Sequence, residues 1–147
     1  AKVAPLKEHE NILVFYRKPP VYNPQMKQGT PYKCKQGNVV NNYDSAHMND
    51  IVITENKGER YPTTILRFPR DREKLHPTQK PVDLLRYLIL TYTNSGEVIL
   101  DNTIGSGSTA IACLREGRKF IGFEKDEKYF QTAQERIKKE LSQPSLI

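Results

Sequence analysis

Asp101, Thr103, Gly105, Ser106, Gly107, Ser108 and Thr109 crowd into one short stretch, "LDNTIGSGST", and a further carboxylate, Glu124, follows 17 residues after the second glycine. Glycines let backbone amides approach a ligand, because no Cβ stands in the way. A helix that starts just after them presents free N–H groups and the positive end of its dipole. A carboxylate at the end of the next strand can accept two hydrogen bonds from the hydroxyls of a ribose. These residue types at this spacing point to a ligand that contains a nucleoside. A tight turn with a solvated Glu124 would show the same letters.

Two nucleoside ligands compete. A dinucleotide such as NAD would set its pyrophosphate on the helix start. S-adenosylmethionine has no phosphate, and its amino-acid end is zwitterionic. Asp101, which leads into the turn, would repel a pyrophosphate but attract an ammonium, or organise the turn itself. It leans toward the methyl donor. The hydroxyls of Ser106, Ser108 and Thr109 can bind either.

The flanking residues must hold that turn in place. Residues 98–100 read as a short buried strand, 101–108 as the turn, 109–116 as a helix closed by Gly117, and 120–123 as a second buried strand. Strand, helix, strand is a right-handed crossover that puts the turn at the carboxyl end of a parallel sheet. Asp126 can cap a last helix whose Tyr129, Phe130, Ala133, Ile137 and Leu141 line one face. Upstream, Val82, Leu85, Leu88, Ile89 and Tyr92 fall at helical spacing over residues 81–93. Pro81 suits the first turn of that helix, and Asn94, Ser95 and Gly96 end it. Residues 12–16 are β-branched and aromatic and read as one buried strand, which Pro19, Pro20 and Pro24 interrupt. Residues 25–75 are polar and turn-rich, a loop-rich insert with short strands expected over 38–40, 51–54 and 63–68.

The chain has 147 residues, the length of one domain. It contains no run of 18 apolar residues, and its first ten residues hold no apolar signal core. It begins without Met, as a processed chain or a fragment would. Cys34 and Cys113 are far apart and make neither a disulfide framework nor a zinc pattern, so two reduced thiols in a cytoplasmic protein are expected. His9, His47 and His76 stand apart, without metal-ligand spacing. The net charge is +6, and residues 1–80 carry all of it: 14 Lys/Arg against 8 Asp/Glu, where residues 81–147 balance. Excess positive charge on one half suggests a polyanionic partner there.

"HPTQKP" followed by a helix, then "LDNTIGSGST", then "FIGFEKD" resembles the second half of a DNA amino-methyltransferase of the β order, a family that methylates N6 of adenine or N4 of cytosine. The likeness is strong over residues 74–140 and weaker over 7–24. It implies an α/β fold, a partial Rossmann-like methyltransferase core with parallel βαβ and a loop-rich insert. It implies S-adenosylmethionine as cofactor and double-stranded DNA as partner. Carried over residue by residue, Asp101, Thr103, Gly105, Ser106, Gly107, Ser108 and Thr109 match the cofactor turn and helix start, and Glu124 matches the ribose acid. His76, Thr78 and Lys80, in the segment 76–81, match the part placed beside the methionine end. Residues 1–24 then correspond to a strand and linker of the core, 25–73 to the target-recognition segment, and 74–147 to the cofactor-binding half. Lys33, Lys35, Arg60, Arg67, Arg70 and Arg72 become candidates for phosphate contact, with Tyr32, Tyr43 and Tyr61 interleaved.

Two departures stand out. Asn102 and Thr103 replace the Pro and Phe of the family turn. The family's catalytic (Asp/Asn/Ser)-Pro-Pro-aromatic motif is absent: the sole Pro-Pro lies in "KPPVYN", with Lys18 where an acceptor is needed and Val21 at the aromatic position. A lysine cannot accept the hydrogens of a target amine. The β order puts that motif ahead of residue 1. The expectation is therefore the C-terminal portion of a site-specific DNA methyltransferase, with adenine N6 preferred, inactive alone and with no catalytic residue of its own. The alternatives are a non-catalytic DNA-binding or partner subunit of a split enzyme, and an NAD-dependent oxidoreductase domain. Three or four sheet strands in place of the family's seven would leave an edge open, so a homodimer or a partner chain is expected.

Overall fold

The structure, a computed structural model, describes residues 8–36 and 52–143. The strand expected over 38–40 lies outside the described residues, as do Tyr43 and His47. In chain order, β1 (Lys27–Gln28), β2 (Tyr32–Gln36), β3 (Val52–Asn56) and β4 (Glu59–Arg60) precede α1 (Val82–Tyr92). Then come β5 (Val98–Asp101), α2 (Ser108–Arg115), β6 (Lys119–Gly122) and α3 (Glu127–Ser142).

Parallel strands cannot be joined by a tight turn, so β5 and β6 require a crossover, which α2 supplies. Their register sets Val98 opposite Lys119 and Asp101 opposite Gly122. This is the expected α/β core with a parallel βαβ unit. Its sheet is narrower than expected: two strands among the described residues, where three or four were anticipated.

Alternation along the two strands decides where the core lies. Ile99 and Phe120 pack against a buried cluster of Val82, Ile89, Ile111, Ala112 and Cys113, joined by Leu85 and Ile137. Val98, Leu100 and Ile121 point the other way and are exposed. The helices thus cover one face of the sheet. Burial, reinforced by the charge of Asp101, pushes the Cys113 thiol up to about 11.

The helix ends are closed by specific partners. No cap comes from Pro81 at the start of α1. Asp71, eleven residues upstream, accepts from the Val82 amide at 3.2 Å. Asn23 serves the other end, donating its amide to the Thr91 carbonyl at 2.8 Å and its side chain to the Leu90 and Thr93 carbonyls. Gly117, at φ 67°, ends α2 as expected, with the Arg118 amide on the Cys113 carbonyl at 2.8 Å. Asp126 caps α3 as expected, accepting from the Lys128 and Tyr129 amides. Along α3 the expected face is only partly used. Ala133 is buried and Ile137 joins the core, but Phe130 and Leu141 are exposed.

The insert is a small antiparallel excursion. β2 pairs with β3 from Tyr32↔Asn56 to Gln36↔Val52, and β1 pairs with β4. The strand expected over 51–54 is β3. Two other strand expectations are corrected. Residues 63–68 form no strand; Pro62 and Pro69 flank them, and Phe68 anchors the stretch on Tyr87 of α1 at 5.8 Å between ring centroids. Residues 12–16 form no strand either, and Ile12, Leu13, Val14, Phe15 and Tyr16 are all exposed, Phe15 by 87%. A strand needs a neighbour for its amides and carbonyls, and no described strand runs beside them.

α3 and the turn before α2 approach each other closely. Gly107 sits at φ 84°, and a Cβ there would stand 3.0 Å from the Cβ of Ala133. Gly107→Ala is expected to destabilise the chain by about 1–2 kcal/mol through the left-handed backbone alone, with about 1–3 kcal/mol more from overpacking. Urea unfolding checks this, and an unchanged midpoint would contradict it.

Candidate functional site

The turn between β5 and α2 is stitched to the chain leaving β6. The Phe123 amide donates to the Asp101 carbonyl at 2.9 Å, and the Ile104 amide returns the bond to the Phe123 carbonyl at 2.9 Å. One residue on, the Gly105 amide donates to Glu124 Oε2 at 2.8 Å. The other carboxylate oxygen, Oε1, accepts from the Asp126 amide at 2.9 Å. Beneath the turn, the Ile104 side chain fills the space where Gly122 lacks a Cβ; an atom there would meet Ile104 Cδ1 at 2.3 Å.

Glu124 is therefore aimed into the turn. A carboxylate offers about four lone-pair sites. Two are used by backbone amides, which leaves one on each oxygen for the two hydroxyls of a diol. The Asp126 amide holds the Glu124 carboxyl below the usual carboxylate value; partial desolvation opposes it, and the Gly105 and Lys125 amides and the His76 ring act in the same downward sense. Next to it, α2 opens at Gly107 with no side-chain cap. Its first-turn amides have no intrahelical partner, and Ser108 and Ala110, which carry two of them, are buried.

Asp101 organises this turn from the inside. Its Oδ1 accepts from the Thr103 amide at 3.0 Å, and its Oδ2 accepts from the Thr109 hydroxyl at 2.6 Å. Ser106 and Ser108 are buried, and their hydroxyls turn toward α3, where Arg136 Nη1 donates to both.

The 76–81 segment meets the turn from the other side. The His76 ring lies 3.5 Å from the position of a Cβ on Gly105, and packs edge-on against Tyr129 of α3 at 4.2 Å between centroids. Thr78 is joined to His76 Nδ1 through its hydroxyl at 3.1 Å. Lys80 is turned elsewhere, with its ammonium 2.7 Å from Glu10 Oε2. Gln79 makes the direct link, with Oε1 accepting from the Ser106 hydroxyl at 3.3 Å and from the Leu75 amide at 3.0 Å. Gln79 falls within the expected 76–81 segment but has no task of its own there, and Arg136, Tyr129 and Ile104 are not among the expected site residues. The signal for Arg136 was present: it lies three residues after Ala133, hence on the same helix face.

The basic residues fall into two groups. Lys33 and Lys35 share one face of β2, where Lys33 pairs with Glu55 at 3.1 Å. Arg60, on β4, stacks over the Tyr32 ring at 4.8 Å and donates to the Thr30 carbonyl at 2.7 Å. Arg67, Arg70 and Arg72 are exposed along the irregular chain that leads to the 76–81 segment. Among the described residues, no three His, Cys, Asp or Glu side chains gather as a metal site, and no helix is long and apolar enough to cross a membrane.

The chain is 45% identical over 65 residues to the type II methyltransferase M2.DpnII of Streptococcus pneumoniae, which covers 44% of this chain and 24% of that protein. It is 37% identical over 84 residues to the DNA adenine methyltransferase YhdJ of Escherichia coli, covering 54% of this chain and 29% of that one. The chain spans about a quarter of the length of these relatives. Among solved structures, the complex of M1.HpyAVI with SAM aligns over 76% of this chain and 62% of its own, at 28% identity and a TM-score of 0.48. The family described as DNA methylase, of the N6/N4 type, matches residues 3–135, and the chain belongs to it.

Proposed function

We propose that this chain is the donor-binding and DNA-recognising portion of a site-specific DNA methyltransferase, with S-adenosylmethionine as methyl donor. The observation that carries this reading is the Glu124 carboxylate turned into the glycine turn, 2.8 Å from the Gly105 amide and beside an uncapped helix start. Glu124 accepts the ribose hydroxyls. The first-turn amides of α2 and the 76–81 segment bound the rest of the donor. Lys80 can leave its exposed partner Glu10 to meet a carboxylate, since a surface ion pair of this kind is weakly held.

When bound, S-adenosylmethionine supplies a methyl group on a sulfonium sulfur. The chain's own part is orientation, by fixing the donor against a base flipped out of the duplex. The receiving amino group needs an acceptor for its hydrogens, and Lys18 of the sole Pro-Pro cannot be one. The chain alone therefore binds donor and DNA without transferring a methyl group. Adenine N6 is the proposed target, following the relative named a DNA adenine methyltransferase. Residues 25–73 serve as the target-recognition segment, with Lys33, Lys35, Arg60, Arg67, Arg70 and Arg72 toward the phosphates.

Calorimetric titration is expected to give saturable binding of S-adenosylmethionine and none of NAD; preference for NAD would end this reading. Glu124→Ala is expected to weaken donor binding about tenfold or more, as the loss of hydrogen bonds to a charged group does. The carboxyl of Glu124 is held below its ordinary value and so stays ionised in the folded chain at neutral and mildly acidic pH. Its part in donor binding should be lost as pH falls through that lowered value, a loss that Glu124→Ala should not show.

For the DNA arm, anisotropy of a labelled duplex should fall as salt rises. Lys35→Ala should weaken binding on all sequences alike and reduce the salt slope by about one unit. A slope unmoved by Lys35→Ala and Arg70→Ala together would remove these residues from the interface.

A second reading is favoured by the bare apolar face of Val98, Leu100, Ile121 and Phe123. In it, the chain is the partner subunit of a split enzyme whose other chain carries the Pro-Pro-aromatic loop. A preparation that methylates DNA only when such a chain is mixed in would establish it.

A further inference from the structure

The guanidinium of Arg136 lies on the buried side of the glycine turn. Arg136 Nη1 donates to the Ser106 carbonyl at 2.7 Å, to the Ser106 hydroxyl at 3.2 Å and to the Ser108 hydroxyl at 3.3 Å. All three acceptors are neutral, and among the described residues Arg136 makes no salt bridge. Burial lowers its pKa, against the more distant pull of Asp71, Glu73 and Glu140.

The contact to the Ser106 carbonyl bears on one peptide plane. The carbonyl of Ser106 and the amide of Gly107 share that plane and point in opposite directions. Arg136 holds the oxygen, while the Ile104 carbonyl accepts from the Gly107 amide at 2.9 Å. The plane is gripped at both ends, and it leads directly into the left-handed Gly107 and the start of α2.

The grip extends past the turn. The Ser106 hydroxyl donates to Gln79 Oε1, and Gln79 Nε2 donates to Asp71 Oδ2 at 2.9 Å. Asp71 in turn accepts from the first amide of α1. Arg136, Ser106, Gln79 and Asp71 thus join α3, the turn, the 76–81 segment and the first amide of α1 in one run of hydrogen bonds.

We infer that Arg136 is a positioning residue: it fixes the Ser106–Gly107 peptide and, through Ser106 and Gln79, locks the glycine turn to the 76–81 segment. Resting on the function proposed above, this means that the two walls of the donor site are held in register before the donor arrives.

Amide hydrogen exchange in the free chain tests the lock without a ligand. In Arg136→Met, the Gly107 and Gly105 amides should exchange about tenfold faster or more, the scale of one charge-assisted hydrogen bond. The Arg118 amide, bonded at the far end of α2, should not change. Arg136→Lys, which keeps a cation and a donor, should restore part of the protection. Gln79→Ala should speed the same turn amides, and it decides the matter if Arg136→Met does not fold. Equal acceleration at Gly107 and Arg118, or none at Gly107, would overturn the inference and leave Arg136 a general stabiliser.

S-adenosylmethionine titration of the same variants adds the second arm, with affinity expected to fall about tenfold or more alongside the exchange effect. A wild-type chain that fails to bind the donor would end the functional reading, while exchange would still decide the lock. Donor affinity unchanged in Arg136→Met, with the turn loosened, would remove its role in the donor site.

Discussion

The hydrogen bond from the Gly105 amide to Glu124 is the constraint on which the rest depends. It ties the turn after β5 to the chain after β6 across 19 residues of sequence. The same carboxylate holds the Asp126 amide, where α3 begins. One side chain therefore sets the end of a strand, the shape of the turn and the entry of the last helix. It can do so because parallel pairing brings the carboxyl ends of β5 and β6 together, with Asp101 opposite Gly122. A shift in that register would carry Glu124 away from the turn and free the Gly105 amide.

Three glycines around this bond do three different jobs. Gly107 leaves room for Ala133 of α3 and Gly122 for the Ile104 side chain, while Gly105 takes a left-handed backbone, φ 56°, that a side chain rarely adopts. The pattern that suggests close approach of a ligand thus also serves close approach of the protein to itself. Both uses follow from a missing Cβ. The hydroxyls show the same division: Thr109 secures Asp101, while Ser106 and Ser108 face Arg136. Gly105, Ser106, Gly107 and Ser108 are themselves buried, so what the turn leaves open to a ligand is chiefly the spare lone pairs of Glu124.

The helices and the bare face explain the distribution of apolar residues. Parallel sheets ordinarily have both faces covered. Here Ile99 and Phe120 are packed under helices, while Val98, Leu100, Ile121 and Phe123 are exposed. The exposed block at residues 12–16 adds to the uncovered apolar surface. Its chemistry is that of a buried strand, and only its surroundings differ.

Local chemistry made much of this chain legible in advance. The period of Val82, Leu85 and Ile89 announces α1, Asp126 announces α3, and Gly117 announces the end of α2, because caps and helical faces depend on residues a few positions apart. The order of strand, glycines, helix and acid likewise predicts the parallel crossover and the residues around its turn. Residues 12–16 and 63–68 were misread for the opposite reason: a strand exists only where a second one pairs with it, and apolar alternation cannot supply the partner. The tasks of Gln79 and Arg136 were equally hidden, since each bonds to Ser106 from about thirty residues away. Sequence determined the three helices, the two strands of the parallel pair and where the glycine turn falls, because those rest on near neighbours. Tertiary structure alone decided which hydroxyls face inward, that Lys80 meets Glu10, and which apolar surface stays bare, because each depends on what the folded chain brings alongside.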